Sequence, residues 1–285
     1  MAFEPVKETP GTLFVVATPL GNLDDLTFRA VKCLQTVTLI ACEDTRRTVR
    51  LLSHLGIKKP LISCFEHNEL SRVDELLGKI ASGADIALVS DAGTPTISDP
   101  GFPLIRAAHE RGIKVSPIPG PSALIAALSV SGLPTDEFVF AGFLPRTSTA
   151  RRARIAELKS QRGTLIIYES PHRVLDSIHD LIALLGDRPA FLCREVTKLH
   201  EELKRAPLSE IAADLQARAE ILGEIVLVVA GAASEVRATG TMDDALRHFD
   251  AEVSMDATPR QAAKAAAHTT GLAARDIYAT AVSRK

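Results

Sequence analysis

The stretch IALVSDAGTPTISDPG, Ile86 to Gly101, decides the fold. Ile86-Ala-Leu-Val89 has the length and apolar composition of a buried strand. It stops at Ser90-Asp91-Ala92-Gly93-Thr94-Pro95, breaks again at Asp99-Pro100-Gly101, and gives way to a helix-like segment from Phe102 to Arg111. Open α/β sheets bind ligands beyond the carboxyl ends of their strands, in loops of this kind. Gly93 allows close approach of backbone to ligand, and Asp91 suits a ligand hydroxyl or amine. The plainer alternative is that the glycines and aspartates only make turns. Two further loops of the same kind shift the balance towards a ligand site.

Those loops lie on either side. Thr12 to Ala17 predicts a first strand, ending in Thr18-Pro19-Leu20-Gly21-Asn22. Asp24 or Asp25 is then expected to cap a helix through Leu26, Ala30, Val31 and Leu34. Val37 to Cys42 predicts a second strand, running into Glu43-Asp44-Thr45-Arg46-Arg47. A helix over 48–55, a strand over 61–65 and an amphipathic helix over 69–81 precede the central strand. Lys114 to Ile118 then leads into Pro119-Gly120-Pro121-Ser122, with Ser122 expected to cap an apolar helix over 123–130. Strands alternating with helices predict a parallel or mixed α/β sheet.

After Gly132-Leu133-Pro134 a second α/β region begins. Strands are predicted over 137–143, 164–168, 190–195 and 223–229, and helices over 145–161, 174–185 and 208–219. Residues 1–10 read as a loose tail and 232–257 as polar and weakly patterned. Thr258-Pro259 opens an Ala-rich helix that Gly271 separates from another over 273–282. From Thr258 onward Arg260, Lys264, Arg275, Arg284 and Lys285 face the single acid Asp276. This hairpin is expected to pack on the body, with an RNA- or partner-binding appendage as the functional alternative. The expected domains are 11–121 (N-terminal α/β), 122–236 (C-terminal α/β) and 237–285 (small helical tail).

The bulk numbers narrow the function. The 285 residues are 46% hydrophobic and 24% charged, as in a soluble globular protein, with no Trp and only 4% aromatic residues. The aromatic scarcity argues against single strands stacked on aromatic platforms. A net charge of −2 excludes a uniformly basic nucleic-acid binder but not local basic patches. Cys33, Cys42, Cys64 and Cys193 form no CxxC pair and read as reduced, buried thiols. No signal peptide or membrane span is evident, so a cytoplasmic location is expected. The P-loop, G-x-G-x-x-G, zinc-hydrolase and G-x-S-x-G patterns are all missing. No metal is indicated. A small polar ligand held by backbone groups and one or two carboxylates remains.

Basic residues cluster at Arg46, Arg47, Arg50, Lys58 and Lys59, and at Arg146, Arg151, Arg152, Arg154, Lys159 and Arg162, where Glu157 is the only nearby acid in sequence. Such runs are often solvated helix faces. Beside a ligand site they also suit a phosphate-rich substrate recognised by shape, as structured RNA is.

TPLGN (18–22), EDTR (43–46), SDAGTPTISDPG (90–101), PGPSA (119–123), GFLPR (142–146) and YESPHR (168–173) closely resemble the ribosomal RNA small subunit methyltransferase I family. That family is a branch of the tetrapyrrole (corrin/porphyrin) methylase superfamily, and the likeness spans nearly the whole chain. It implies two α/β domains with S-adenosylmethionine in the cleft between them, plus the small helical appendage, usually as a homodimer. It also implies 2′-O-methylation of a cytidine in the decoding region of 16S rRNA on the assembled small ribosomal subunit. By the same resemblance Asp91, Gly93, Thr94, Ser122 and Ala123 contact the cofactor and Pro19 and Gly21 lie beside it. Tyr168 and Ala230 are expected as further cofactor walls. The first loop departs from the Gly-rich loop of the corrin enzymes, so tetrapyrrole substrates are not carried over.

A ribose 2′-hydroxyl needs alignment and removal of its proton. Glu43, Asp44 and Glu169 are the expected candidates for the base, because they follow strand ends directly. Arg46 and Arg173 are expected to hold flanking phosphates, with Arg146, Arg151 and Arg152 as further RNA contacts. The alternatives are methylation of another substrate, such as a tetrapyrrole or a protein residue, and a ribosome-associated protein without catalysis.

Overall fold

The computed structural model describes residues 9–233, 240–255 and 257–284. The expectations for residues 1–8, for the boundary at 236/237 and for Lys285 lie outside them. Two compact units appear, divided between Ala232 and Ala233.

The first unit holds two sheets. Strands β1 (Thr12–Val16), β2 (Leu39–Cys42), β3 (Leu61–Ser63), β4 (Ile86–Val89) and β5 (Lys114–Ile118) alternate with helices α1 (Phe28–Thr36), α2 (Thr45–His54), α3 (Glu69–Ala81) and α4 (Phe102–Glu110). They form a parallel sheet in the order β3-β2-β4-β1-β5. Buried on both faces, β4 is apolar at all four positions, as a central parallel strand must be. Helix α3 covers it with Val73, Leu76, Leu77 and Ile80, one stripe at helical spacing. The connection leaving β2 runs outward to β3, whereas that leaving β4 crosses to β5 on the other side. The carboxyl ends of β2 and β4 therefore flank the point where the winding reverses, the crevice in which open sheets bind ligands.

Helix α5 (Ala123–Val130) leads to the second sheet. Its strands are β6 (Phe138–Phe143), β7 (Thr164–Glu169), β8 (Pro189–Arg194), β9 (Glu202–Pro207) and β10 (Ile225–Val229), joined by α6 (Ser148–Glu157), α7 (Val174–Leu185) and α8 (Leu208–Gln216). The order is β6-β7-β10-β8-β9, and only β6 and β7 are parallel. Strand β10, IVLVV, is buried throughout and antiparallel to both neighbours. The four cysteines are all buried and free. No helix among the described residues is long and apolar enough to cross a membrane.

The second unit contains α9 (Met242–Ser254), α10 (Pro259–Thr270) and α11 (Ala274–Ser283) around Phe249, Ala262, Ala263, Ala266 and Ile277. It has three helices where the sequence reading predicted two. A capping box starts the extra one: Asp244 N–H donates to Thr241 Oγ1 at 3.2 Å and Thr241 N–H to Asp244 Oδ2 at 2.7 Å. Two other expectations fail locally. Asp24 and Asp25 sit in a 3-10 turn, and Thr27 is the α1 cap, accepting from Ala30 N–H at 3.1 Å. Ser122 occupies the first position before α5 but makes no side-chain capping bond.

Ile80 is fully buried in the cluster beneath β4. Ile80→Ala removes most of that side chain from a packed core and is expected to cost about 2–5 kcal/mol. Urea unfolding measures it, and an unchanged midpoint would contradict this packing.

Candidate functional site

The loop after β4 is tied to each strand end around it. Thr18 and Gly93 exchange both backbone hydrogen bonds, at 2.8 and 3.0 Å, joining the loops after β1 and β4. The Thr94 hydroxyl donates to Pro121 O at 3.0 Å beyond β5. Towards β2 the bonds cross: Asp44 N–H donates to Asp91 Oδ1 at 3.0 Å, and Asp91 N–H approaches Glu43 Oε2 at 3.4 Å. Gly93 holds φ at +86°, and a Cβ there would press on Leu20 Cδ2 at 3.2 Å. Further on, Thr96 and Ser98 take φ of 74° and 66°, strained for residues with side chains.

These bonds shape one wall of a cavity of about 400 Å³ between the two sheets. The opposite wall is apolar: Tyr168 and Phe143 from the second sheet, with Ile225 and Val226 at the start of β10. Tyr168 packs edge-on against Phe140 and Phe143 and accepts a bond from Leu124 N–H at 3.0 Å. It thereby satisfies the N-terminus of α5 that Ser122 leaves open. Burial pushes the Tyr168 hydroxyl up to about 12, so it stays protonated.

Carboxylates dominate the polar lining. Glu43, Asp91, Asp99 and Glu224 all border the cavity. Burial raises Glu43 above the usual range, and the Asp91 carboxylate adds to the effect. Asp99 is pushed up to about 7, first by burial and then by Glu43, Asp91 and Glu224, against the Ser90 hydroxyl. Three half-buried acids, Glu43, Asp91 and Asp99, beside apolar and aromatic walls fit a ligand that carries positive charge on an apolar body. S-adenosylmethionine, with its sulfonium, ammonium and adenine ring, has that chemistry, and the residues present fit it.

The expected site residues divide. Asp91, Gly93, Thr94, Ser122, Ala123, Tyr168, Glu43 and Glu169 all line the cavity. Pro19 and Gly21 line a second cavity beside it. Ala230 lines neither cavity. It follows the far end of β10, which pairs Val226 with Tyr168 and Val229 with Leu165. Because β10 runs antiparallel to β7, its start rather than its end meets the cleft, roughly 16 Å from Ala230.

The acids also separate. Asp44 grips its neighbour: Arg46 Nη2 lies 2.7 Å from Asp44 Oδ2, and this bond lowers the Asp44 carboxyl to about 2. Glu169 is buried and accepts from Ser177 Oγ at 2.6 Å, Ser170 N–H at 2.8 Å and Arg173 Nη2 at 3.4 Å. Arg173 also donates to Leu144 O and Pro145 O. Arg151 is only 5% exposed and bonds Asp180 Oδ2 at 2.8 Å, while Arg152 takes Oδ1 at 2.7 Å. Helix α7 thus supplies the counter-charges that the sequence around α6 lacks, and Arg151, Arg152 and Arg173 brace the second sheet. Arg146 is exposed.

The sequence reading missed Asp99 as more than a turn residue, and Glu224 and Lys198 altogether. Lys198 Nζ lies 2.8 Å from Glu195 and 3.2 Å from Glu224. Its stem covers Gly21 so closely that a Cβ there would fall 2.2 Å from Lys198 Cγ. The SDP in the central stretch was the available signal for Asp99; nothing local marks Lys198 or Glu224, which reach the cleft from the second sheet.

A carboxyl held near 7 folds protonated while the unfolded chain has already ionised. The stabilisation it supplies is therefore complete below about pH 4 and lost as pH rises through about 7. Asp99→Asn removes this dependence. Its Tm is expected to gain on that of the unaltered protein between pH 4 and pH 8, and a constant difference across that range would contradict the assignment.

Comparison with known proteins agrees with this geometry. The family model "Tetrapyrrole (Corrin/Porphyrin) Methylases" matches residues 12–212. A ribosomal RNA small subunit methyltransferase I from Xylella fastidiosa is 47% identical over 95% of this chain and 98% of its own. The protein of that name from Pseudomonas aeruginosa is 44% identical over 96% and 98%. Among solved structures, cobalt precorrin-4 methyltransferase CbiF aligns with a TM-score of 0.56 at 15% identity, over 76% of this chain and 94% of its own. Diphthine synthase aligns with a TM-score of 0.57 at 15% identity, over 77% and 90%. The two solved structures share the fold of this chain, and the near full-length sequence likeness is to the two small subunit methyltransferases. This chain belongs to the tetrapyrrole methylases and, within them, to the ribosomal RNA small subunit methyltransferase I family.

Proposed function

We propose that this protein transfers a methyl group from S-adenosylmethionine to the ribose 2′-hydroxyl of a cytidine in the decoding region of 16S rRNA. It acts on the assembled small ribosomal subunit, in the cytoplasm, as a homodimer. The observation that carries the RNA reading is the near full-length likeness to relatives bearing the small-subunit methyltransferase name. The acidic, aromatic-walled cavity supports the donor.

When bound, S-adenosylmethionine supplies an electrophilic methyl group on a positively charged sulfur. Asp91, Gly93 and Thr94 would hold it from the first sheet, with Ser122 and Ala123 next to Thr94 and Tyr168 from the second sheet, while Pro19 and Gly21 line the neighbouring cavity. The apolar wall of Tyr168, Phe143 and Val226 lowers the polarity on its side of the cavity, which strengthens the half-buried charges beside it.

The acceptor proton passes to a carboxylate oxygen. Asp44 is too acidic and Glu169 is saturated with donors, which leaves Glu43 from the expected set and adds Asp99. A base works best with a pKa near the operating pH, and Asp99 at about 7 meets that condition. Arg46 and Arg146, both exposed, serve the phosphates of the RNA.

Labelled S-adenosylmethionine, small subunits lacking the modification and naked 16S rRNA test this together. Label is expected in an alkali-resistant dinucleotide, from subunits rather than naked RNA. Loss of the base costs typically ~10²–10⁴-fold, so Asp99→Asn or Glu43→Gln is expected to slow transfer by that order at saturating cofactor. The unaltered enzyme should speed up as pH rises through about 7. Full activity in both variants would remove the carboxylates from the reaction, and label released by alkali as mononucleotides would refute the ribose assignment.

A further inference from the structure

We propose that the second cavity, beside the donor cavity, takes the acceptor nucleoside of the RNA, unstacked from its neighbours, with its backbone phosphate on Arg50. The inference rests on the reading of the first cavity as the donor site.

The second cavity measures about 550 Å³, within the range that encloses small organic groups. It shares Leu20, Arg47, Asp91, Ala92 and Glu224 with the donor cavity. An acceptor oxygen has to approach the transferred methyl directly, so the 2′-hydroxyl reaches past the shared Asp91 and Ala92 into the first cavity, where Glu43 and Asp99 lie, while the rest of the nucleoside occupies the second. Leu20, Leu23, Leu51 and Val89 give it an apolar lining that a flat base can cover. RNA recognition commonly takes up bases splayed out of loops, bulges and ends, and a ribose drawn into a recessed cavity brings its base with it.

Charge sets the orientation. Arg47 Nε lies 3.4 Å from Asp91 Oδ2, and Lys198 Nζ 3.2 Å from Glu224. Both lining acids therefore already face cations. Arg50 has no ion pair among the described residues, so the lining holds one cation in excess. Arg47 and Arg50 are three residues apart on α2, on one face of that helix. That pair suits a phosphodiester at the rim, with the nucleoside inside.

A labelling experiment tests the proposal on the full-length protein. The four native cysteines are buried, so Leu23→Cys offers the accessible thiol, Leu23 being 42% exposed. Leu23 borders the second cavity and not the first. The same protein is compared unlabelled, after methylthiolation and after reaction with a bulky maleimide. Leu70→Cys on α3, at a position 73% exposed, receives the maleimide as the control. The bulky adduct at position 23 is expected to slow transfer to small subunits at least about 100-fold against the unlabelled variant, with S-adenosylmethionine affinity within about twofold. The methylthio adduct, near leucine in size, and the labelled control should keep their rates. Separately, Arg50→Glu should raise KM for subunits and leave cofactor affinity intact. Unchanged transfer with the bulky adduct overturns the proposal. So does joint loss of cofactor binding and transfer, since the two cavities would then be one site. Failure of the unlabelled protein to bind S-adenosylmethionine would instead refute the donor reading itself.

Discussion

The short turn from Asp91 to Thr94 is bonded to the ends of β1, β2 and β5 at once, and the cleft depends on it. Its partners are the reciprocal Thr18–Gly93 pair, the crossed Asp44–Asp91–Glu43 bonds and the Thr94–Pro121 bond. Each uses backbone N–H or C=O groups that would otherwise lie unsatisfied at strand ends. One glycine at positive φ lets the turn come this close to Leu20. A site held by such bonds is preorganised, because its walls cannot shift without breaking several of them together.

On that frame the charges are sorted by depth. The chain as a whole carries only −2, yet five carboxylates gather around the first cavity, while on α2 Arg47 stands where the two cavities meet and Arg50 lines the second alone. Burial and the neighbouring carboxylates raise Glu43 and Asp99, which favours a cation beside them; the arginines of α2 favour a polyanion. The second sheet contributes more than a lid. Tyr168 bonds the start of α5, and Lys198 lies across Gly21 with its charge shared between Glu195 and Glu224. Both sheets are therefore needed to complete either cavity.

Much of this was legible in the sequence where one local signal sufficed. β4, β5, α3, α5 and α7 fall where the apolar runs and Gly or Pro breaks place them. The three loops do meet, since parallel strands put all their carboxyl ends on one side. What failed depended on partners distant in the chain. The direction of β10 is set by β7 and β8, and without it Ala230 looked like a cleft residue. The arginines of α6 looked free because Asp176 and Asp180 lie on α7. Strand β9 reads ELKRAP, charged and with little strand propensity, and it holds its place at the sheet edge through Arg194 and Arg218 on Glu202. Ser122 looked like a cap, but the cap comes from Tyr168, 44 residues beyond the Leu124 N–H that it accepts from.

The most direct test is amide hydrogen exchange with and without S-adenosylmethionine. Protection is expected in peptides covering 91–99, 122–124, 168–170 and 223–226, which come from both sheets and four separate stretches of chain. Peptides from α9 to α11 should not change. Protection confined to one sheet, or none in the 91–99 loop, would contradict a donor site built around that turn.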